Sequence, residues 1–129
     1  MDTREKIIDC AHAATLAAKL RTDRASIQIV TGYFDVLVAD HVRRLREITG
    51  QASKLFVVVL DPPMAVLATR ARAEMVAALA MVDYVVPAGK QEAEALLSHF
   101  AEGEIVREES ADLLRAERLN QHVQRRHQQ

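Results

Sequence analysis

Cysteine is almost missing from this sequence: Cys10 is the only one in 129 residues. A lone thiol excludes an intrachain disulfide and makes a reducing compartment, the cytoplasm, the expected setting. On a helix Cys10 reads as a small apolar side chain rather than a reactive nucleophile. Long apolar runs are missing as well. The longest, Leu55 to Leu60, is far too short to span a bilayer, so no membrane partner is expected. The first residues include Asp2, Glu5 and Asp9 and carry no apolar core segment, which does not read as a signal peptide. Nor does one sign of charge dominate. Seventeen basic residues stand against eighteen acidic ones, a net charge of −1, so nucleic acid is not an expected partner. Low-complexity linkers, internal repeats and compositional breaks are also missing. Residues 1–129 therefore read as one domain, long enough to bury a core.

What is present alternates between helical and strand periods. Residues from about Thr3 to Arg21 hold no glycine or proline and read as a helix. Ser26 to Thr31 is a short strand running into Gly32. Asp40 sits where a helix N-cap belongs, ahead of Val42, Leu45 and Ile48, and Gly50 ends that helix. Lys54 to Leu60 is nearly continuous apolar sequence, as in a strand covered on both faces. A helix from about Arg70 to Ala80 presents Met75, Val76 and Leu79, and Tyr84 to Val86 is a third strand. Ala93, Leu96, Leu97 and Phe100 have helical spacing. Glu104 to Arg107 reads as an edge strand, and Ser110 caps a last helix carrying Leu113, Leu114, Leu119 and Val123. The alternation predicts an α/β protein: a Rossmann-like three-layer α/β/α sandwich around a parallel sheet of four or five strands. In such sheets ligands bind beyond the carboxyl ends of the strands, here the turn at residues 31 to 41, with Asp61 and Pro87 on the same edge.

That turn reads Thr31-Gly32-Tyr33-Phe34-Asp35-Val36-Leu37-Val38-Ala39-Asp40-His41. Taken bare, it is a strand, a glycine turn and a helix entry holding one histidine. A helix N-terminus attracts anions, and His41 would add a donor; the alternative is a partly exposed histidine in a first helical turn. Asp35, Asp40 and Asp61 would make a Mg²⁺ site only by converging; each is otherwise a turn or cap residue. His12, His99, His122 and His127 have no ligand spacing, so no metal site is expected.

The segment resembles the signature of the cytidylyltransferase-like nucleotidyltransferases, in which the first strand leads into G-x-F-D-x-L-H-x-G-H. The likeness is strongest to the heptose-1-phosphate adenylyltransferase domains of lipopolysaccharide heptose synthesis, which implies a bacterial setting. His41-Val42-Arg43-Arg44-Leu45, Arg72-Ala73-Glu74-Met75-Val76-Ala77-Ala78-Leu79 and Val82-Asp83-Tyr84-Val85-Val86 extend it over roughly residues 3 to 90. The resemblance implies the nucleotidyltransferase (adenine nucleotide alpha hydrolase-like) fold and a nucleotide site at Gly32, Tyr33, Phe34, Asp35, Val38, Asp40, His41 and Arg72. It also implies His41 as the surviving catalytic histidine, and a homodimer.

The sequence departs from the family where the chemistry lies. Val38 stands at the first histidine of the motif and Asp40 at its glycine. The family's lysine between the second strand and third helix has no counterpart in Asp61 to Thr69. Its late Ser/Thr-rich motif is here Glu108-Glu109-Ser110-Ala111-Asp112. Nucleotidyl transfer depends on donors placed around spreading negative charge, and losing one such donor commonly costs about a hundredfold or more in rate. The expected function is therefore a catalytically inactive relative acting as a binding or interaction module. The alternative is an active adenylyl- or cytidylyltransferase using Mg²⁺ and ATP or CTP on a sugar phosphate or another phosphorylated small molecule. In that reading Arg70, Arg72 or the C-terminal arginines replace the lost groups. A structural dimer without ligand is the third reading.

Overall fold

Lys54–Val59 forms strand β2 in the interior of the sheet. Leu55, Val57 and Val59 face one side, Phe56 and Val58 the other, and all five are fully buried. A run without polar alternation thus means a strand covered on both faces. The structure, a computed structural model, describes residues 2–50 and 54–127. Ile27–Gly32 (β1) pairs with β2 in parallel, Tyr84–Pro87 (β3) takes β2's other side, and Ile105–Arg107 (β4) lines the outer side of β1. The strand order is β3-β2-β1-β4. Cys10–Thr22 (α1) and Lys90–Leu97 (α4) cover one face, burying Ala13, Ala17, Ala93, Leu96 and Leu97 against Ile29, Phe56 and Val58. Ala39–Thr49 (α2) and Thr69–Ala77 (α3) cover the other through Leu45, Ala73, Val76 and Ala77. The protein is a Rossmann-like three-layer α/β/α sandwich, with the lower of the expected strand numbers. Glu109–His127 (α5) follows β4. No described helix is long and apolar enough to cross a membrane.

Several boundaries differ from the sequence reading, each for a local reason. The first helix is not continuous from Thr3: a 3-10 turn at Thr3–Lys6 is followed by Ile7, which bridges to Val85 at the sheet edge. Only then does Asp9 cap α1, accepting from the His12 N–H at 2.8 Å. Val38, not Asp40, is the N-cap of α2. Asp40 lies inside the first turn, and Ser110 likewise lies inside α5 rather than before it. Phe100 is buried just beyond the end of α4. Met75 faces solvent while Val76 is buried.

The chain order reverses between β1 and β4, so the sheet's switch point is the carboxyl end of β1. Arg72 holds that edge together. It has no exposure, and its N–H groups donate to the carbonyls of Leu67, Tyr33 and Leu60, to the Asp61 carboxylate and to the Thr69 hydroxyl. One guanidinium thereby ties the exits of β1 and β2 to the start of α3. Thr69 and Arg72 together hold the Asp61 carboxyl below its ordinary value. Arg72→Met fills similar volume but strands these buried acceptors, each worth about 1–3 kcal/mol when left unpaired. The expected result is a stability loss of about 3 kcal/mol or more, read from the urea midpoint at constant m.

Candidate functional site

β1 ends in Gly32, and the chain turns sharply at Phe34, which is buried with φ +51°. This turn brings the N–H groups of Tyr33 and Phe34 onto one atom, Oδ2 of Asp112 in α5, at 2.7 and 3.3 Å. Oδ1 of the same carboxylate accepts from Arg115 at 2.8 Å and lies 2.9 Å from His41 Nε2. The His41 contact is close but its N–H is not well aimed, so the imidazole is a near neighbour more than an aligned donor. Two adjacent backbone N–H groups, an imidazole and a guanidinium form an anion seat of the type that holds phosphates. Here a carboxylate of the protein fills it. Asp112 is 4 % exposed. Burial works against its charge, yet His41 and the Tyr33 and Phe34 N–H groups outweigh that and hold the carboxyl below its ordinary value.

Gly32 is required by this arrangement. A Cβ there would sit 2.5 Å from Asp112 Oδ2 and 2.9 Å from the Phe34 ring. The glycine that lets the chain approach a ligand closely in this position lets the carboxylate approach instead.

His41 is buried at 3 % exposure, the third residue of α2. Its Nδ1 accepts from the Val38 N–H at 3.0 Å while its own N–H donates to the Val38 carbonyl. This is the N3 half of a capping box, with imidazole in the usual Glu or Gln role and no capping side chain at Val38. With Nδ1 accepting, the ring proton is assigned to Nε2, toward Asp112. Val38 supplies backbone only. Asp40 is exposed and turned to Arg115 at 2.8 Å, which holds its carboxyl below the ordinary value, and to Arg43 at 3.5 Å. Arg115 and Arg44 also reach Glu108, at 3.6 and 2.9 Å. A charge network therefore docks the first turns of α5 on α2.

Of the residues singled out from the sequence, Gly32, Tyr33, Phe34, Asp40 and His41 all gather around this seat. Asp35 and Arg72 turn away from it. Asp35 accepts from the Val66 and Leu67 N–H groups at 2.7 and 3.0 Å, pinning the loop before α3. Arg72 is committed to the interior contacts described above. Asp35, Asp40 and Asp61 have separate partners, and no group of three metal-ligating side chains comes together among the described residues. His12, His99 and His122 are exposed, and the side chain of His127 lies outside the described residues. Sequence reasoning flagged the acidic start of α5 but not that Asp112 enters the seat, nor that Arg115 completes it. A cleft of 300 Å³ beside the seat runs between Pro62, Met64 and Val66 on one side and Leu113, Ala116 and Asn120 on the other. No protein-family model and no curated protein matches this chain.

Because the folded carboxyl of Asp112 titrates below its unfolded value of about 3.9, its stabilising contribution is complete above that pH. It is lost as pH falls through the folded value. Asp112→Asn should therefore be destabilised relative to wild type at neutral pH, with the gap closing on acidification below about pH 4. Urea unfolding of both proteins across that range reads the difference.

Proposed function

We propose that this chain is a catalytically inactive protein of the nucleotidyltransferase fold that works as a binding or interaction module. The observation that carries the reading is the Asp112 carboxylate in the anion seat. A nucleotide's phosphates would need the same Tyr33 and Phe34 N–H groups and the same guanidinium, and would meet a buried negative charge already there. The groups around it point the same way. Val38 offers no donor side chain, and Asp40 adds a second carboxylate beside the α2 N-terminus. Transfer chemistry depends on donors aimed at developing negative charge, and here they are satisfied before any substrate arrives.

The test is thermal unfolding with ATP, CTP, GTP and UTP, with and without Mg²⁺, joined to a pyrophosphate-release assay with sugar phosphates. A ligand of the native state adds RT ln(1 + [L]/Kd), about 2.7 kcal/mol at roughly a hundred times Kd. No nucleotide should shift the wild-type transition at millimolar concentration, and no pyrophosphate should form. The triple variant Val38→His, Asp40→Gly, Asp112→Ser should gain a nucleotide-dependent shift. Turnover by the wild type would overturn the reading in favour of an active adenylyl- or cytidylyltransferase.

The module reading extends to self-association. Leu113 and Val123 of α5, 48 and 46 % exposed, lie toward one side of the helix, while Leu114, 54 % exposed, points away from Val123. A homodimer through α5 is the proposed assembly. Sedimentation equilibrium should give twice the chain mass, and Val123→Glu should return it to the monomer; a monomeric wild type at tens of micromolar would remove this part of the proposal.

A further inference from the structure

A second cavity, of 390 Å³, opens at the same edge of the sheet on the α1/α4 face, bordered by Tyr33, Asp61, Lys90, Glu94, Arg107 and Glu109. Two of its ion pairs are closed within the protein. Asp61 is held by Arg72, and Glu94 grips Arg107 through two bonds of 2.7 and 3.2 Å. Glu109 and Lys90 are left over: among the described residues neither makes an ion pair or a side-chain hydrogen bond. Oε1 of Glu109 is buried and has no hydrogen-bond partner. Arg107 lies within electrostatic reach of it, but its hydrogen bonds go to Glu94. The cavity therefore presents one carboxylate and one ammonium that no hydrogen bond or ion pair ties down, with Arg107 and Glu94 within electrostatic reach of them.

Two further features belong to the same place. Thr31 is 1 % exposed and its hydroxyl has no partner. Strand alternation puts Thr31 on the face of Ile29, flanked in register by Val58 and by Arg107, which borders the cavity. One step further along the chain's same face comes Tyr33, also at the border. The eight-residue helix α4 starts here as well, with Gly89 as its N-cap and no side chain capping it. Buried polar atoms without partners are rare, and Glu109 Oε1 in the cavity wall calls for a ligand that brings a donor.

We propose that this cavity binds a small zwitterion of the α-amino-acid type, its ammonium toward Glu109, its carboxylate toward Lys90 and the first N–H groups of α4. Opposite charges on one small molecule match the two leftover charges of the wall. A simple amine would leave Lys90 and the positive end of α4 unanswered. A simple anion would face Glu109 with Asp61 and Glu94 close by. A metal ion lacks a set of three ligands among the described residues. The volume leaves room for a side chain on the bound molecule.

The experiment uses the whole chain and the standard L-amino acids as probes, with n-butylamine and butyrate as one-charge controls. Thermal unfolding finds the binder and backbone amide NMR locates it. At least one amino acid should raise the melting temperature and shift the amides of Gly89, Lys90 and Glu109. Both controls, and both Glu109→Gln and Lys90→Gln with the best amino acid, should bind about tenfold or more weakly. Lys90 is exposed, so its variant keeps the fold whatever Glu109→Gln does. No binding by any amino acid at millimolar concentration would overturn the proposal. So would shifts mapping elsewhere, a one-charge control binding as tightly, or Lys90→Gln binding like the wild type.

Discussion

The contact between the Asp112 carboxylate and the turn after β1 joins parts of the chain that otherwise have little to do with one another. It links the end of the central strand, the start of α2 through His41, and the first turns of α5 through Arg115. Charge-assisted hydrogen bonds of this kind are each worth about 1.5–3 kcal/mol, and more is lost when one partner is removed from a dry site. The competition with an external anion is not between equals. Asp112 is tethered to the seat by the fold, so its effective concentration there far exceeds that of any dissolved phosphate. A ligand would have to beat the carboxylate and bear the cost of moving a buried charge with its network.

The network around that contact explains why α5 stays where it is. The helix carries exposed leucines, yet Glu108 just before it and Asp112 and Arg115 in its first turns meet Arg44, His41 and Asp40 of α2. Polar docking of this kind is specific in direction because each partner must be satisfied at a set distance. Gly32 belongs to the same constraint, since any side chain there would collide with the carboxylate.

Much of the fold was legible because its signals are local. The apolar run of β2 means burial on both faces, and the order of strands and helices leads to a parallel sheet whose switch point is at the carboxyl end of β1. The errors also have local causes that periodicity cannot see. Ile7 pairs with Val85 instead of continuing a helix, and the His41 ring, rather than the Asp40 carboxylate, completes the cap of α2. Arg72 is expected from the sequence to face a nucleotide, but three carbonyls from separate segments draw it inside. Asp112 stands out in the sequence only as part of an acidic stretch where the resembled family has hydroxyls. Its place in the seat depends on a contact between residues 79 apart in sequence, and no pattern within a single element reports such a contact.

A vacant anion site leaves donors without acceptors. Here the Tyr33 and Phe34 N–H groups, the Val38 N–H, Arg115 and Asp40 all have partners, and the Asp112 carboxylate serves several of them at once. Only His41 Nε2 is poorly aimed. Of the four buried side-chain atoms without an aligned partner among the described residues, Glu109 Oε1 borders the other cavity, and Thr31 lies in register beside Arg107 of its wall. The seat filled by Asp112 is thus saturated, whereas the wall of the neighbouring cavity keeps an acceptor open to a donor from outside.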